Sequence, residues 1–333
     1  MLNEIDELPA QLLTAKTEDL YQLLGKPTLL HLEGEQSNPL FLCTLLHGNE
    51  TTGFYALQRL LNQYKQKKLP RSLSIFIGNV KAAADGLRRL EQQVDFNRVW
   101  PGTHDDFLAE AHMMKNVSDI MRQKQTFASI DIHNNTGRNP HYGCINSLGK
   151  KYIALAGMFS NTVVYFTNPK GVQSAAFAEF CPSVTLECGR SGQMDGVDHA
   201  LRFIETVMQL DDLPSQVPEH INLFHTVARV TIPEAYSFGF ADDATINLHS
   251  EIEMYNFREL EAGTVFASVE PKSNAFLHAF IDDESDQGKE FFECRNNEIV
   301  LKKSVMPSML TKDATVIRQD CLCYLMERMQ FER

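Results

Sequence analysis

The chain is short of basic residues, of paired cysteines and of long apolar runs, and each shortage closes a route. Lysine and arginine number 31 against 43 aspartates and glutamates, a formal charge of -12. No basic stripe or aromatic-basic repeat offsets the repulsion this sets up toward a phosphate backbone, so nucleic acid is excluded as an expected partner. No apolar stretch approaches the roughly 20 residues that cross a bilayer. The first twenty residues, MLNEIDELPAQLLTAKTEDL, carry acids where a secretory leader would carry a basic and then an apolar segment. No membrane association is expected, and a cytoplasmic location is. The seven cysteines (Cys43, Cys144, Cys181, Cys188, Cys294, Cys321 and Cys323) form an odd set without a CxxC pair, and most lie in apolar runs. They read as reduced core thiols. No internal repeat or low-complexity segment is visible.

What is present is a soluble globular composition, 43% hydrophobic and 22% charged over 333 residues, enough for one large or two ordinary domains. Apolar runs alternate with helical periods through the first two thirds. A helical start over residues 4–24 precedes a strand near 28–32. The run at 41–46 reads as a buried strand and is followed by a helix over 53–68, with Phe54, Leu57, Leu60, Leu61 and Tyr64 at helical spacing. Strands follow at 72–77, 127–132, 162–166 and 182–186, and helices at 105–124, 151–159 and 197–210. Wholly apolar strands alternating with helices predict an α/β fold, a mixed and mostly parallel sheet with helices on both faces. Two prolines in DDLPSQVP (residues 211–218) interrupt the pattern. Short β-like runs take over beyond it, so the expected division is a catalytic domain over 1–212 and a smaller β-rich domain over 213–333 that shapes the cleft.

Three chemical groups stand just past the carboxyl ends of apolar strands, where ligands bind in such sheets. The first is His47 with Glu50 in LCTLLHGNETT (residues 42–52); of eleven histidines, only His47 has a glutamate three residues on. A turn through Gly48 and Asn49 can fold imidazole and carboxylate toward one point. The second is His133, in Asp131-Ile132-His133-Asn134, and the third is Glu187, in TLECG. Two histidines and a glutamate around a divalent ion make a hydrolytic zinc site, so His47, Glu50 and His133 are the expected ligands. Glu187 is then the carboxylate placed to take a proton from water and return it to a leaving amine; read alone, it could equally start a helix or face solvent. Asp131, two residues before His133, would share its face and orient the site from behind the metal, or is simply buried. The segment 79–100 contains Arg88, Arg89, Asn97 and Arg98. Arginines gathered beside a metal edge in an acidic protein suggest a substrate carrying a carboxylate.

Taken together, HGNE, Asn79 with a downstream arginine, Asp95-Phe96-Asn97-Arg98, the Asp131–His133 pair and Glu187 resemble the succinylglutamate desuccinylase/aspartoacylase family, a branch of the zinc carboxypeptidase superfamily. Order, spacing and residue types agree over roughly residues 40–210, and LHSEIEMYNFRELEAGTVF (residues 248–266) resembles that family's carboxyl-terminal β-domain. The resemblance implies one zinc ion on His47, Glu50 and His133, and Glu187 as general base. It also implies Asn97 and Arg98, with Arg88, as substrate-binding residues, and Arg89 as the arginine that polarises the scissile carbonyl. Residues 296–315 contain no tyrosine where the family places a substrate-contacting one. The implied activity is hydrolysis of the amide of an N-acyl amino acid with a free carboxylate, by a monomer or a homodimer. A metallocarboxypeptidase trimming a peptide or cell-wall fragment would use the same parts. A non-catalytic binding protein on the same fold would need none of them.

Overall fold

The computed structural model describes residues 2–241, 243–281 and 285–330. The chain divides into two compact units, the first running to Asn134 and resuming over His141–Asn222, the second taking Asn135–Pro140 and the chain from Leu223 on.

The first unit holds, in order, β1 (Asn3–Ile5), α1 (Leu20–Leu24), β2 (Thr28–Leu32), β3 (Gly34–Thr44), α2 (Thr52–Gln63), β4 (Leu69–Ile77), α3 (Val80–Ala84), α4 (Ala109–Gln123), β5 (Ala128–Asn135), β6 (Tyr142–Ile145), α5 (Lys150–Phe159), β7 (Thr162–Tyr165), α6 (Gln173–Ala178), β8 (Ser183–Arg190) and α7 (Met194–Met208). The strands stand side by side as β1-β2-β4-β3-β5-β8-β6-β7. β3 lies parallel to both β4 and β5, while β2 runs antiparallel to β4 and β6 antiparallel to β8. This is the expected mixed α/β sheet.

Its central strand is apolar on both sides because both sides are covered. Phe41 and Cys43 of β3 join a cluster with Met114, Val117 and Met121 of α4, Phe177 of α6 and the buried Trp100. Thr44, one residue on, alternates to the other face. There α2 comes so close that a Cβ on Gly53 would stand 2.4 Å from Thr44 Oγ1 and 2.9 Å from Ile132 Cβ. Phe54, Leu57, Leu60 and Leu61 line the buried side of α2, the spacing an amphipathic helix requires.

The amino terminus differs from expectation. Residues 4–24 form β1, two short 3-10 turns (Ala10–Leu13 and Thr17–Asp19) and α1 rather than one helix. Pro9 caps the first turn in an extended conformation; it has no N–H to continue a helix through that point. Six of the seven cysteines are buried, and Cys294 is exposed.

The second unit is β-rich. β9 (Asn222–Thr231) carries β13 (His278–Phe280) on one edge and β17 (Cys323–Arg328) then β16 (Met306–Ser308) on the other. A separate sheet orders β10 (Phe238–Gly239), β11 (Ile246–Leu248), β12 (Val265–Val269), β15 (Glu298–Leu301) and β14 (Phe292–Arg295). Phe266, Leu277, Phe292, Ile299 and Leu325 sit in its core. Residues 135–140 belong here by hydrogen bonding: Asn256 Nδ2 donates to the carbonyls of Arg138 and Leu310, and Asn139 Oδ1 accepts from the Met309 N–H. The proline-containing stretch 211–218 lies within the first unit.

Phe177 stacks on Phe41 at 4.4 Å between centroids and meets Trp100 edge-on at 5.9 Å, with no exposed surface. Phe177→Ala is expected to destabilise the protein by about 3–5 kcal/mol, read as a lowered midpoint in urea unfolding with an unchanged slope.

Candidate metal centre

β3 ends at Thr44, held in register with Ile77 on one side and Ile132 on the other. Leu45 then adopts φ +56°, a left-handed conformation that non-glycine residues rarely take, and the chain leaves the sheet. The Glu50 N–H donates to the His47 carbonyl at 3.1 Å, so HGNE closes as a turn with its two ligand residues at the ends. Gly48 lies against α3: a Cβ there would stand 2.2 Å from the Ala83 backbone nitrogen. The same register carries β5 one residue past Ile132 to His133, and β8, the next strand, carries Glu187 in its second half, three residues before Arg190.

His47, Glu50 and His133 meet at this edge. His47 Nδ1 lies 2.7 Å from Glu50 Oε1, and His133 Nδ1 lies 2.7 Å from Glu50 Oε2. The ligand atoms of the three residues fall within 4.8 Å of one another, and all three side chains are buried. Each imidazole is also held from behind: His47 Nε2 meets Asp95 Oδ1 at 3.0 Å, and His133 Nε2 meets Asp131 Oδ2 at 2.8 Å. A carboxylate on Nε2 fixes the ring and leaves Nδ1 turned toward Glu50 as the candidate ligand atom. Two imidazole nitrogens and one carboxylate form a donor set that fits a single divalent ion.

The charges agree with that use. Burial works against the charged form of Glu50, yet the His47 and His133 imidazoles outweigh it and hold the carboxyl far below its usual range. Burial likewise opposes protonation of His133, and Asp131 and Glu50 overcome it to raise its pKa well above the ordinary value. His47 is raised too: burial and Arg88 oppose its protonation, and Glu50 and Asp95 outweigh them. Positive charge is therefore wanted between these groups. Glu187 behaves in the opposite way. Burial pushes its carboxyl up to about 8, with Glu50 and Asp131 adding to the rise and His133 and His47 opposing it. Each further positive charge beside it would move it toward the ionised base.

The arginines divide. Arg88 Nη2 donates to Asp95 Oδ2 at 3.0 Å, and its Nη1 lies 3.7 Å from Glu50 Oε1. Arg89, given the carbonyl-polarising role by the resemblance, donates instead to the Gln93 carbonyl at 2.7 Å. An amide pair ties the base of this loop: Asn79 Nδ2 donates to Gln93 Oε1 at 2.8 Å, and Gln93 Nε2 returns a bond to Asn79 Oδ1 at 3.0 Å. Gln93 Oε1 also accepts the Leu90 N–H, and the Gly48 N–H donates to the Arg88 carbonyl at 3.1 Å, so the backbone on either side of the two arginines is held. Asn97 is buried, its Oδ1 accepting from the Gln173 N–H at 2.9 Å and its Nδ2 lying 3.4 Å from His133 Nε2. Arg98 Nη1 donates to the Asn97 carbonyl at 2.9 Å.

The chain matches the family model described as "Succinylglutamate desuccinylase/Aspartoacylase catalytic domain" over residues 36–210. It belongs to the succinylglutamate desuccinylase/aspartoacylase family. A curated succinylglutamate desuccinylase from Pseudomonas fluorescens is 26% identical over 267 residues, 70% of this chain and 73% of that one. Among solved structures, a succinylglutamate desuccinylase/aspartoacylase from Rhodobacter sphaeroides superimposes with a TM-score of 0.61 at 15% identity, covering 90% of this chain and 88% of the other. Murine aminoacylase 3 does so with 0.59 at 14% identity, covering 89% and 96%. The family is one of hydrolytic deacylases, and the His-Glu-His cluster lies inside its matched catalytic region. Among the described residues, no helix is long and apolar enough to cross a membrane.

Sequence reasoning gave Asp95 no role of its own, although the deacylase motif contains it. Its Oδ1 takes His47 Nε2 and the Asn97 N–H, and its Oδ2 takes Arg88. An acid in an arginine-rich loop was the available signal; which imidazole it meets is a fact of the fold. Asp95→Asn is expected to weaken divalent-metal affinity by about 10–100-fold, measured by competition with a chromophoric chelator, while circular dichroism stays that of the parent.

Proposed function

We propose that this family member is a zinc-dependent amidohydrolase that cleaves the amide of a small N-acyl amino acid, releasing a carboxylic acid and a free amino acid. What supports the reading above all is the shared Glu50 carboxylate between the Nδ1 atoms of His47 and His133, with the raised carboxyl of Glu187 in their field. Bound on His47, Glu50 and His133, a zinc ion would supply Lewis acidity toward the acyl oxygen and toward water.

The chain's own groups do the rest. Glu187 takes a proton from the attacking water and delivers it to the nitrogen as the carbon–nitrogen bond breaks, so one carboxyl serves as base and then acid. Arg88 is the guanidinium assigned to the acyl oxygen, because Asp95 holds it beside the cluster while Arg89 donates to the Gln93 carbonyl. Arg98 anchors the substrate carboxylate as a planar two-point donor. Asn97 lines that subsite through its Nδ2, since its Oδ1 is committed to Gln173. Asp131 acts on His133 through Nε2 and does not reach substrate. Solved structures named as succinylglutamate desuccinylase, aminoacylase 3 and an ectoine utilization protein share the fold, so the acyl group is decided by experiment.

The purified protein should contain one zinc per chain and turn over at least one of a panel of N-acetyl, N-succinyl and N-formyl amino acids. Turnover of short peptides with none of that panel would move the assignment to a metallocarboxypeptidase. Glu187→Gln should keep the metal and lose about 10²–10⁴-fold in kcat; a variant as fast as the parent would remove Glu187 from the mechanism. Arg98→Ala should raise KM for carboxylate-bearing substrates far more than it lowers kcat.

A further inference from the structure

Asn134 follows the ligand His133 and is buried, and every polar atom of its side chain is committed. Its Oδ1 accepts the Thr52 N–H at 3.2 Å, and its Nδ2 donates to Thr52 Oγ1 at 2.9 Å and to the Gly189 carbonyl at 2.9 Å. Its main-chain N–H donates to Glu50 Oε2 at 3.2 Å. One residue thus touches three segments: the metal-binding turn with the start of α2, the end of β5, and the end of β8 two residues beyond Glu187. Gly189 sits at φ +69°, a left-handed turn that glycine makes without strain and that leaves its carbonyl facing Asn134. A second clasp ties the same two loops. Ser191 Oγ donates to the Asn49 carbonyl at 2.8 Å and accepts the Thr51 N–H at 3.2 Å.

From this geometry we infer that Asn134 is a positioning residue that sets the separation between the metal-ligating Glu50 and the strand end bearing Glu187. The inference rests on the hydrolase reading above. Two carboxylates that act on one water must be held to a fraction of an ångström, and nothing in the covalent chain between residues 50 and 187 provides that. Asn134 does so by splitting its bonds: the main chain orients the metal ligand, and the side chain holds the base-bearing strand to the ligand turn. The two functions separate on substitution, because an alanine keeps the N–H to Glu50 and loses only the side-chain clamp.

The test compares Asn134→Ala, the isosteric Asn134→Asp and the exposed-site Ser191→Ala with the parent. In Asn134→Ala, kcat per bound metal is expected to fall about tenfold or more at near-constant KM, while the metal dissociation constant changes less than kcat does. In the metal-free protein, hydrogen exchange at the Thr52 amide should speed up. Asn134→Asp keeps the size and the acceptor for Thr52 but sets a carboxylate against the Gly189 carbonyl, so it should be as slow as the alanine variant even if alanine prevents folding. Ser191→Ala should show a smaller loss of the same kind. A merely structural role predicts a lower unfolding midpoint with parental kcat per bound metal in both Asn134 variants, and that result overturns the inference; so does parental kcat in Asn134→Asp alone. A parent that neither binds zinc nor turns over acyl amino acids would instead overturn the hydrolase reading, since the exchange measurement on the metal-free protein reports on the clamp by itself.

Discussion

A single carboxylate shared by two imidazoles governs this edge of the sheet. Glu50 is buried and ionised between His47 and His133, and a buried charge survives only when its partners are close and well aimed. Each partner is in turn fixed by an acid behind it, Asp95 for His47 and Asp131 for His133. Three carboxylates therefore enclose two imidazoles, an arrangement with more negative than positive charge unless protons or a dication enter it. The cluster has the donor set and the charge that could hold a cation.

The surrounding architecture serves that geometry. Parallel alignment of β3 with β5 brings His133 level with the turn that follows Thr44, and α3 crowds that turn until only glycine fits at residue 48. Glu187 feels the same cluster from β8 but with burial dominating, so two glutamates a strand apart have opposite protonation tendencies. Opposite shifts of this kind are what two carboxylates need if they are to take different roles in acid–base chemistry.

Much of this was legible in the chain. Continuous apolar runs ending in His47, His133 and Glu187 located the sheet and its chemical edge, because buried strands leave a strong hydrophobic signal and a strand that stops at polar residues stops at a surface. The amino terminus was misread because helical spacing persists across Pro9, which breaks the hydrogen bonding without disturbing the pattern. Residues 135–140 gave no sign of belonging with the second unit, since their attachment runs through backbone carbonyls and through Asn139 and Asn256, contacts that leave no periodicity. The arginine pair could not be divided either: Arg88 and Arg89 are adjacent and chemically identical, and only their tertiary partners, Asp95 and Glu50 for one and the Gln93 carbonyl for the other, tell them apart.

Residue types and their order determined the fold class, the family and the three side chains of the candidate metal cluster, because those depend on burial pattern and on donor chemistry carried by each residue. Tertiary structure decided which nitrogen of each histidine meets Glu50, which arginine lies beside that carboxylate, and that Asp95 bonds His47 while Asn134 bonds Glu50, Thr52 and Gly189. These are relations between segments tens of residues apart, set by strand register and by single hydrogen bonds at 2.7–3.2 Å, and no local pattern in a linear chain encodes a distance.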